Sequence, residues 1–348
     1  MQGKNTPGRC PGGEDGTRLL RPFSAILTIF VCLVAALSPP AFAASASDKQ
    51  AGDGFFGAGL GLMNGHTTYH ISSYDATGGV ESELEFPLNA TLLGLDGGYI
   101  SRNGKGQEVF RMGLQWITNL SSGSGKLKDS DWLTDSVDIA AVGSAHPGLD
   151  IYSESDIALT ANIIDLRASY NFWPSEQLAI GPLAGVLYQN FQFDASNVHQ
   201  VGYGPYAPAY TGSSPGLVLT YEVTYTVPYF GVHTEMPFNS RFQAFLDLGY
   251  SPWASADDRD DHVLRGKLST GTTSGSAYLA ALTAQWDIED NDLFLVRGQY
   301  LKIDTTGTQT QTWYRTSGTI PAGTTITGIG DKITSQQISV ALLFSHRF

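Results

Sequence analysis

Beyond residue 46 the chain alternates apolar and polar positions with period two. It contains neither a sustained 3.6-residue apolar period nor a 20-residue apolar run. Between Phe242 and Tyr250, the residues Phe242, Ala244, Leu246, Leu248 and Tyr250 share one apolar face. Gln243, Asp247 and Gly249 face the other way, with Phe245 the exception. This pattern predicts a strand with two unlike faces. A soluble sandwich would show it too, so one strand does not settle the class.

The last strand is more informative. Ile338, Val340, Leu342 and Phe344 alternate toward a terminal Phe348, with Ser339, Ala341, Ser345 and Arg347 opposite. A final strand closing on a C-terminal Phe resembles the signal read by the machinery that assembles outer-membrane barrels. Turn-forming residues break the chain unevenly. Short polar breaks fall at 102–106, 173–177, 235–240 and 288–292. Longer glycine-rich stretches fall at 73–79, 121–153, 195–216, 258–275 and 305–335. Four short turns alternating with five long loops imply ten strands. Bacterial barrels keep the short turns periplasmic and the long loops outside. Several strand segments reach 14 to 18 residues, against the roughly 9–11 that cross a bilayer. The prediction is an all-β, ten-stranded antiparallel transmembrane β-barrel that stands above the outer surface, without a repeat or second domain.

The start of the chain does not fit that barrel. Arg18 and Arg21 precede an apolar run from Phe23 to Leu37, followed by Pro39-Pro40 and Ala41-Phe42-Ala43. This is the order of a secretory signal peptide, expected to span 1–43 and be removed after Ala43, with Ala46 the alternative. The polar stretch from Met1 to Gly16 is long for such a peptide and leaves open a translation start further downstream. The mature protein is then 44–348. Both cysteines, Cys10 and Cys32, fall in the removed part, so disulfides and thiolate chemistry are excluded. Cys32 follows Phe30-Val31, which lack the small residues of a lipoprotein site.

Charge narrows the partners. Totals of 20 basic and 33 acidic residues lose Lys4, Arg9, Arg18, Arg21, Glu14 and Asp15 with the signal peptide. The remaining 16 basic and 31 acidic residues give a formal charge of −15. Such a surface argues against nucleic acid and leaves room for a cationic ligand or substrate.

Two acid-rich clusters stand at the starts of long loops. One is Lys128-Asp129-Ser130-Asp131-Trp132; the other runs from Trp253 through Asp257-Asp258-Arg259-Asp260-Asp261 to His262. In extended chain, residues two apart project to the same side about 6.6–6.8 Å apart. Asp129 and Asp131 can thus face one space, as can Asp260 and His262. A His held by a carboxylate keeps one tautomer and can take a proton from water. Two neighbouring carboxylates resist double ionisation. Together they could activate water without a metal. The blander reading is that such acids are solvated or hold Ca²⁺ loosely, and that a loop His is inert. His146, beside Pro147, reads as structural in its loop, and His346 as a residue of the last strand. The residues alone leave both readings open.

The Asp129-x-Asp131-Trp132 motif, and Trp253 followed by Asp260-x-His262, resemble the omptins, ten-stranded outer-membrane endopeptidases with an extracellular active site. The resemblance covers most of the mature chain. It includes Ser82-x-Leu84-x-Phe86, His146-Pro147, Gly181-x-x-Ala184-Gly185, Val227-Pro228-Tyr229-x-Gly231 and Phe348. It implies His262 as general base, oriented by Asp260, with Asp129 binding the attacking water and Asp131 as its carboxylate partner. It also implies cleavage of extracellular polypeptides with no acyl-enzyme and no metal or cofactor.

Two departures modify that picture. Omptins favour basic residues through two carboxylates on a pocket floor; Asp258 matches one, and Tyr69 stands where the other is expected. Weaker or broader preference for basic residues is therefore expected, with Asp257 and Asp261 as candidate compensators. Family members hold lipopolysaccharide phosphates with arginines, and the matching positions are Ala145 and Asn190. Neither pairs with phosphate as a guanidinium does, so weak or absent lipopolysaccharide dependence is expected. The competing readings are a non-catalytic barrel, acting as an adhesin or binder of cationic ligands, and a small channel.

Overall fold

A strand in hydrocarbon has no water to satisfy its backbone, so a membrane-spanning sheet has to close on itself. The computed structural model describes residues 51–75, 78–133, 148–175, 177–289 and 291–348. The expected signal peptide, Ala145 and His146-Pro147 lie outside the described residues.

The strands are β1 (Ala51–Asp75), β2 (Gly78–Pro87), β3 (Ala90–Arg102), β4 (Glu108–Asn119), β5 (Lys126–Trp132) and β6 (Ile151–Tyr170). They continue with β7 (Ala179–Gly202), β8 (Gly212–Pro237), β9 (Phe242–His262), β10 (Lys267–Asp287), β11 (Asp292–Trp313) and β12 (Thr325–Arg347). All neighbours pair antiparallel, and β12 returns to β1 from Phe55↔Arg347 to Ser72↔Gly330. The terminal residue completes the seam: Phe348 N–H donates to the Gly54 carbonyl at 3.0 Å, and Gly54 N–H donates to the Phe348 carbonyl at 3.1 Å.

Twelve segments occupy ten places in the ring, as the turn spacing predicts. β3 and β2 pair with the lower and upper parts of β1, and β4 and β5 with the lower and upper parts of β6. Each interrupted strand is thus one barrel strand with a break. The β4–β5 break carries Gly123 (φ 83°) and Gly125 (φ 121°), a conformation that side chains rarely tolerate.

Much of what reads as long loop is strand. The stretch 258–275 is the top of the β9–β10 hairpin, joined through 263–266, and 305–335 lies mostly in β11 and β12. Above the membrane neither face of the sheet meets lipid. Apolar alternation fades there, and Ser, Thr and Gly read as loop.

The apolar face seen in the sequence points outward. Leu60 and Leu62 on β1, Phe230 and Val232 on β8, Leu248 on β9, and Ile338, Val340, Leu342 and Phe344 on β12 are all exposed large apolar side chains. Trp253 and Tyr278 mark the upper limit of this band, where aromatic girdles sit in such barrels. The lumen is polar and filled. Gln189 and Gln337 exchange hydrogen bonds at 2.9 Å, Tyr229 donates to Asp165 at 2.8 Å, and Arg111 grips Glu108 at 2.8 and 2.7 Å. Among the described residues the lumen holds cavities of about 40 and 50 Å³, room for a water or so each. A ten-stranded lumen packed this way does not suit a channel.

One irregularity decides which way the second acid cluster points. In lower β9 the odd residues Asp247, Gly249 and Ser251 are buried inward, whereas above it the even residues Ala254, Ala256, Asp258 and Asp260 are. Both partner strands skip a residue here: β8 shifts register between Thr226 and Phe230, and β10 between Gly275 and Ala277. Each shift leaves one extra residue in β9, a β-bulge. Pro228, which has no N–H to give, sits where the β8–β9 ladder is interrupted. Without the bulge, Asp258, Asp260 and His262 would face outward.

Leu248 lies on the lipid face near mid-band. Leu248→Arg is expected to lower stability by about 2–4 kcal/mol, and Asp257→Asn, above the band, by less than about 0.5 kcal/mol. Urea unfolding of each variant in lipid vesicles measures both.

Candidate active site

The upper barrel carries the candidate residues on strands, not on loops as the sequence suggests. Asp129 and Asp131 sit on β5, while Asp258, Asp260 and His262 sit at the top of β9. Alternation turns each set inward from its own side of the ring. Beneath them lies an aromatic floor: Phe86 and Tyr221 stack with ring centroids 4.5 Å apart, Phe86 and Phe193 lie 4.9 Å apart, and Tyr69 packs on Tyr221 at 5.1 Å. These rings separate the site from the lumen network and make its lower wall rigid.

Asp129, Asp131 and His262 line one cavity of about 490 Å³, together with Ser82, Arg265 and Lys267. The two clusters are therefore brought together. Oδ2 of Asp260 lies 2.8 Å from Nε2 of His262. This is closeness rather than an aligned hydrogen bond, since neither Asp260 oxygen has a donor directed at it. On the other wall, Ser82 Oγ donates to Asp129 at 3.4 Å, a long and weak contact.

The site lies well above Trp253, and burial sets its electrostatics. The Asp129 carboxyl is pushed well above the usual range, first by burial and then by the neighbouring charge of Asp131. The His262 imidazolium is disfavoured: burial lowers its pKa, the Asp260 charge opposes this, and Lys267 adds to the lowering. The ring is thus neutral at neutral pH and able to accept a proton. Lys267, facing His262 in the β9–β10 register, is itself held below the usual ammonium range by burial, against the pull of Asp260. Neither Arg265 nor Lys267 stands out from the sequence. Two bases in the five residues that follow His262, in a chain poor in bases, are the signal that was available.

Tyr69 and Asp258 are also brought together. Tyr69 is fully buried and donates its hydroxyl to Oε1 of Gln309 at 2.5 Å. Burial raises its pKa, followed by the charges of Asp260, Asp258 and Asp331. Asp257 and Asp261 do not join them, contrary to the expectation that they compensate for Tyr69. They alternate to the outer wall, where Asp257 accepts from Thr272 at 2.8 Å and Asp261 from Tyr314 at 2.8 Å. The acid that does reach Asp258 is Asp331 of β12. Nothing in Gly330-Asp331-Lys332 marks it, because only barrel closure places it there. Burial, then the charge of Asp331, pushes Asp258 up to about 9, and burial pushes Asp331 up to about 6. Asn190 faces the outer wall and donates to Glu222 at 2.8 Å and to Thr224 at 2.9 Å.

Comparison with known proteins agrees with this architecture. The family model described as the Omptin family matches residues 55–346. The plasminogen activator of Yersinia pestis is 28% identical over 314 residues, covering 86% of this chain and 88% of that protein. The crystal structure of the outer membrane protease OmpT from Escherichia coli superposes with a TM-score of 0.71 at 18% identity, covering 88% of this chain and 99% of that one.

The raised carboxyls have a consequence for stability. Asp258 and Asp331 keep protons in the folded barrel that they lose near pH 3.9 when unfolded. The folded state therefore binds more protons between about pH 4 and the raised values, and stability falls as pH rises through that window. The unfolding midpoint is expected to drop from pH 5 to pH 9, and Asp258→Asn is expected to flatten this slope. Urea titrations at each pH test it.

Proposed function

The chain belongs to the omptin family, and from that premise we propose an endopeptidase that cleaves extracellular polypeptides by direct attack of water. A barrel of this family lies in the bacterial outer membrane, and its long strands carry the cavity above the lipid-facing band. The observation that supports the reading most is that Asp129, Asp131 and His262 share one cavity of about 490 Å³, with Asp260 2.8 Å from His262.

The roles follow from the charges. His262, neutral because burial disfavours its cation, takes a proton from water as the oxygen bonds to the carbonyl carbon. Asp260 orients the ring and stabilises the imidazolium that forms. The same proton then passes to the departing amine nitrogen. Asp129 and Asp131 hold the water from the opposite wall. Because Asp129 retains a proton more readily than an ordinary carboxyl, the pair can both donate to and accept from that water. The acidic character of the chain, at −13 overall, and the buried Asp258 favour cationic segments as substrates.

The mature chain refolded in detergent is expected to cleave members of a cationic peptide library. His262→Ala is expected to lower kcat by at least about 10²-fold, the loss of a general base. Cleavage by neither protein, with lipopolysaccharide present, would favour the non-catalytic binding barrel.

We also propose that activity depends little on lipopolysaccharide. Asn190 offers no cation to a phosphate and is held by Glu222. Lipid-free protein is expected to gain less than about tenfold in rate on addition of lipopolysaccharide, a change of about 1.4 kcal/mol; a much larger activation in the same peptide assay would refute this.

A further inference from the structure

The resemblance to omptins leads one to expect a pocket floor with one carboxylate from β9 and one from β1. Strand β1 instead supplies Tyr69, whose hydroxyl is committed to Gln309. The second carboxylate enters from the other side of the barrel seam. Asp331 of β12 lies opposite Ile71 of β1 and Gly307 of β11, and its side chain is buried.

Asp258 and Asp331 meet over Gly271 of β10. A Cβ at that position would lie 2.5 Å from Oδ1 of Asp258 and 2.4 Å from Oδ2 of Asp331, so only glycine leaves the space they share. Apart from a proton shared between the two carboxyls, none of the four oxygens has a protein donor directed at it. The Tyr221 hydroxyl, 1% exposed, has no partner either. It borders the same space, since after burial Asp258 is the strongest influence on its ionisation and Asp331 also contributes. Buried polar groups are normally satisfied. Two carboxyls that find only each other, and a hydroxyl without a partner, describe a space shaped for a multivalent donor. An Arg guanidinium carries five N–H donors and a Lys ammonium three. A metal ion fits less well. Among the described residues, no group of three Asp, Glu, His or Cys side chains is placed to hold one.

We propose that Asp331 is the second carboxylate of the specificity pocket and that, with Asp258, it receives the cationic side chain of a polypeptide substrate. This rests on the endopeptidase reading of the cleft above. The pocket thus keeps two acids although β1 supplies none, and the weakened basic preference expected from Tyr69 is offset. In the empty pocket the pair holds a proton on Asp258 donated to Asp331, and an entering cation displaces it. The groups around the pair are Tyr69 of β1, Tyr221 of β8, Asp260 of β9 and Gln309 of β11, with Ser269 of β10 beside Tyr69. His70 on the outer face of β1 and Asp257 on that of β9 act at longer range. No cation faces it from inside the barrel in that set, so a basic side chain would meet no competing internal partner.

Binding can be read without turnover. In the His262→Ala background, an arginine-containing peptide and its norleucine counterpart are titrated by calorimetry, with and without Asp331→Asn. The arginine peptide is expected to bind more tightly than the norleucine peptide, and to lose about tenfold or more in affinity on Asp331→Asn, the loss of one charge-assisted hydrogen bond. The norleucine peptide is expected to be unaffected. Asp331→Asn removes a like charge and is expected to raise Tm, which separates lost binding from lost folding. Equal binding of the two peptides, or an arginine affinity that Asp331→Asn leaves unchanged, would overturn the proposal. Hydrolysis by the protein with His262 intact is read separately: its absence would sink the endopeptidase reading while leaving the pocket to be judged by calorimetry.

Discussion

Closure of the sheet is the constraint on which everything else depends. Each backbone N–H and C=O at membrane depth has to find a partner within the protein, because lipid offers none. The seam between β1 and β12 meets that demand down to the reciprocal pair of Gly54 and Phe348. Closure also brings β1 and β12 into one ladder. As a result β12, the last strand made, stands beside β1 and can place Asp331 under a cleft built mainly from β5 and β9.

A closed barrel is stiff, and stiffness suits a site composed of like charges. Asp129 with Asp131, and Asp258 with Asp331, are arrangements that a flexible loop would relax by separating the carboxylates into water. Here strand pairing on both sides holds them, and the aromatic floor of Phe86, Tyr221 and Phe193 excludes the lumen from beneath. Buried carboxyls without donors cost stability. Native proteins keep such costs where binding needs them. The lower barrel shows the opposite arrangement, with acids paired to bases: Glu108 to Arg111, Asp165 to Arg167, Asp247 to His233. The contrast between acids paired with bases in the lumen and acids facing acids in the cleft separates the structural half of the interior from the half open to substrate.

The β9 bulge links these halves. Below it the strand obeys the demands of lipid, with Leu248 outward and Asp247 inward. Above it the same strand needs its acids inward, on residues of the opposite parity. One extra residue between Tyr250 and Ser255 satisfies both.

Period-two alternation and the spacing of turns by themselves make a ten-stranded membrane barrel legible in this chain. The pairs Asp129/Asp131 and Asp260/His262 were legible for the same reason: residues two apart on a strand share a face, and that rule is local. What lies above the membrane was less legible, because strands with no lipid-facing side lose the apolar alternation and read as loops. Three facts belong to the tertiary structure alone. The bulge reverses parity within β9, and Asp257 and Asp261 turn outward as Asp258 and Asp260 turn inward. Asp331 meets Asp258 only because the ring closes and Gly271 leaves room. Strand pairing is set by contacts between segments far apart in sequence, so no local pattern around Asp331 could have announced its partner.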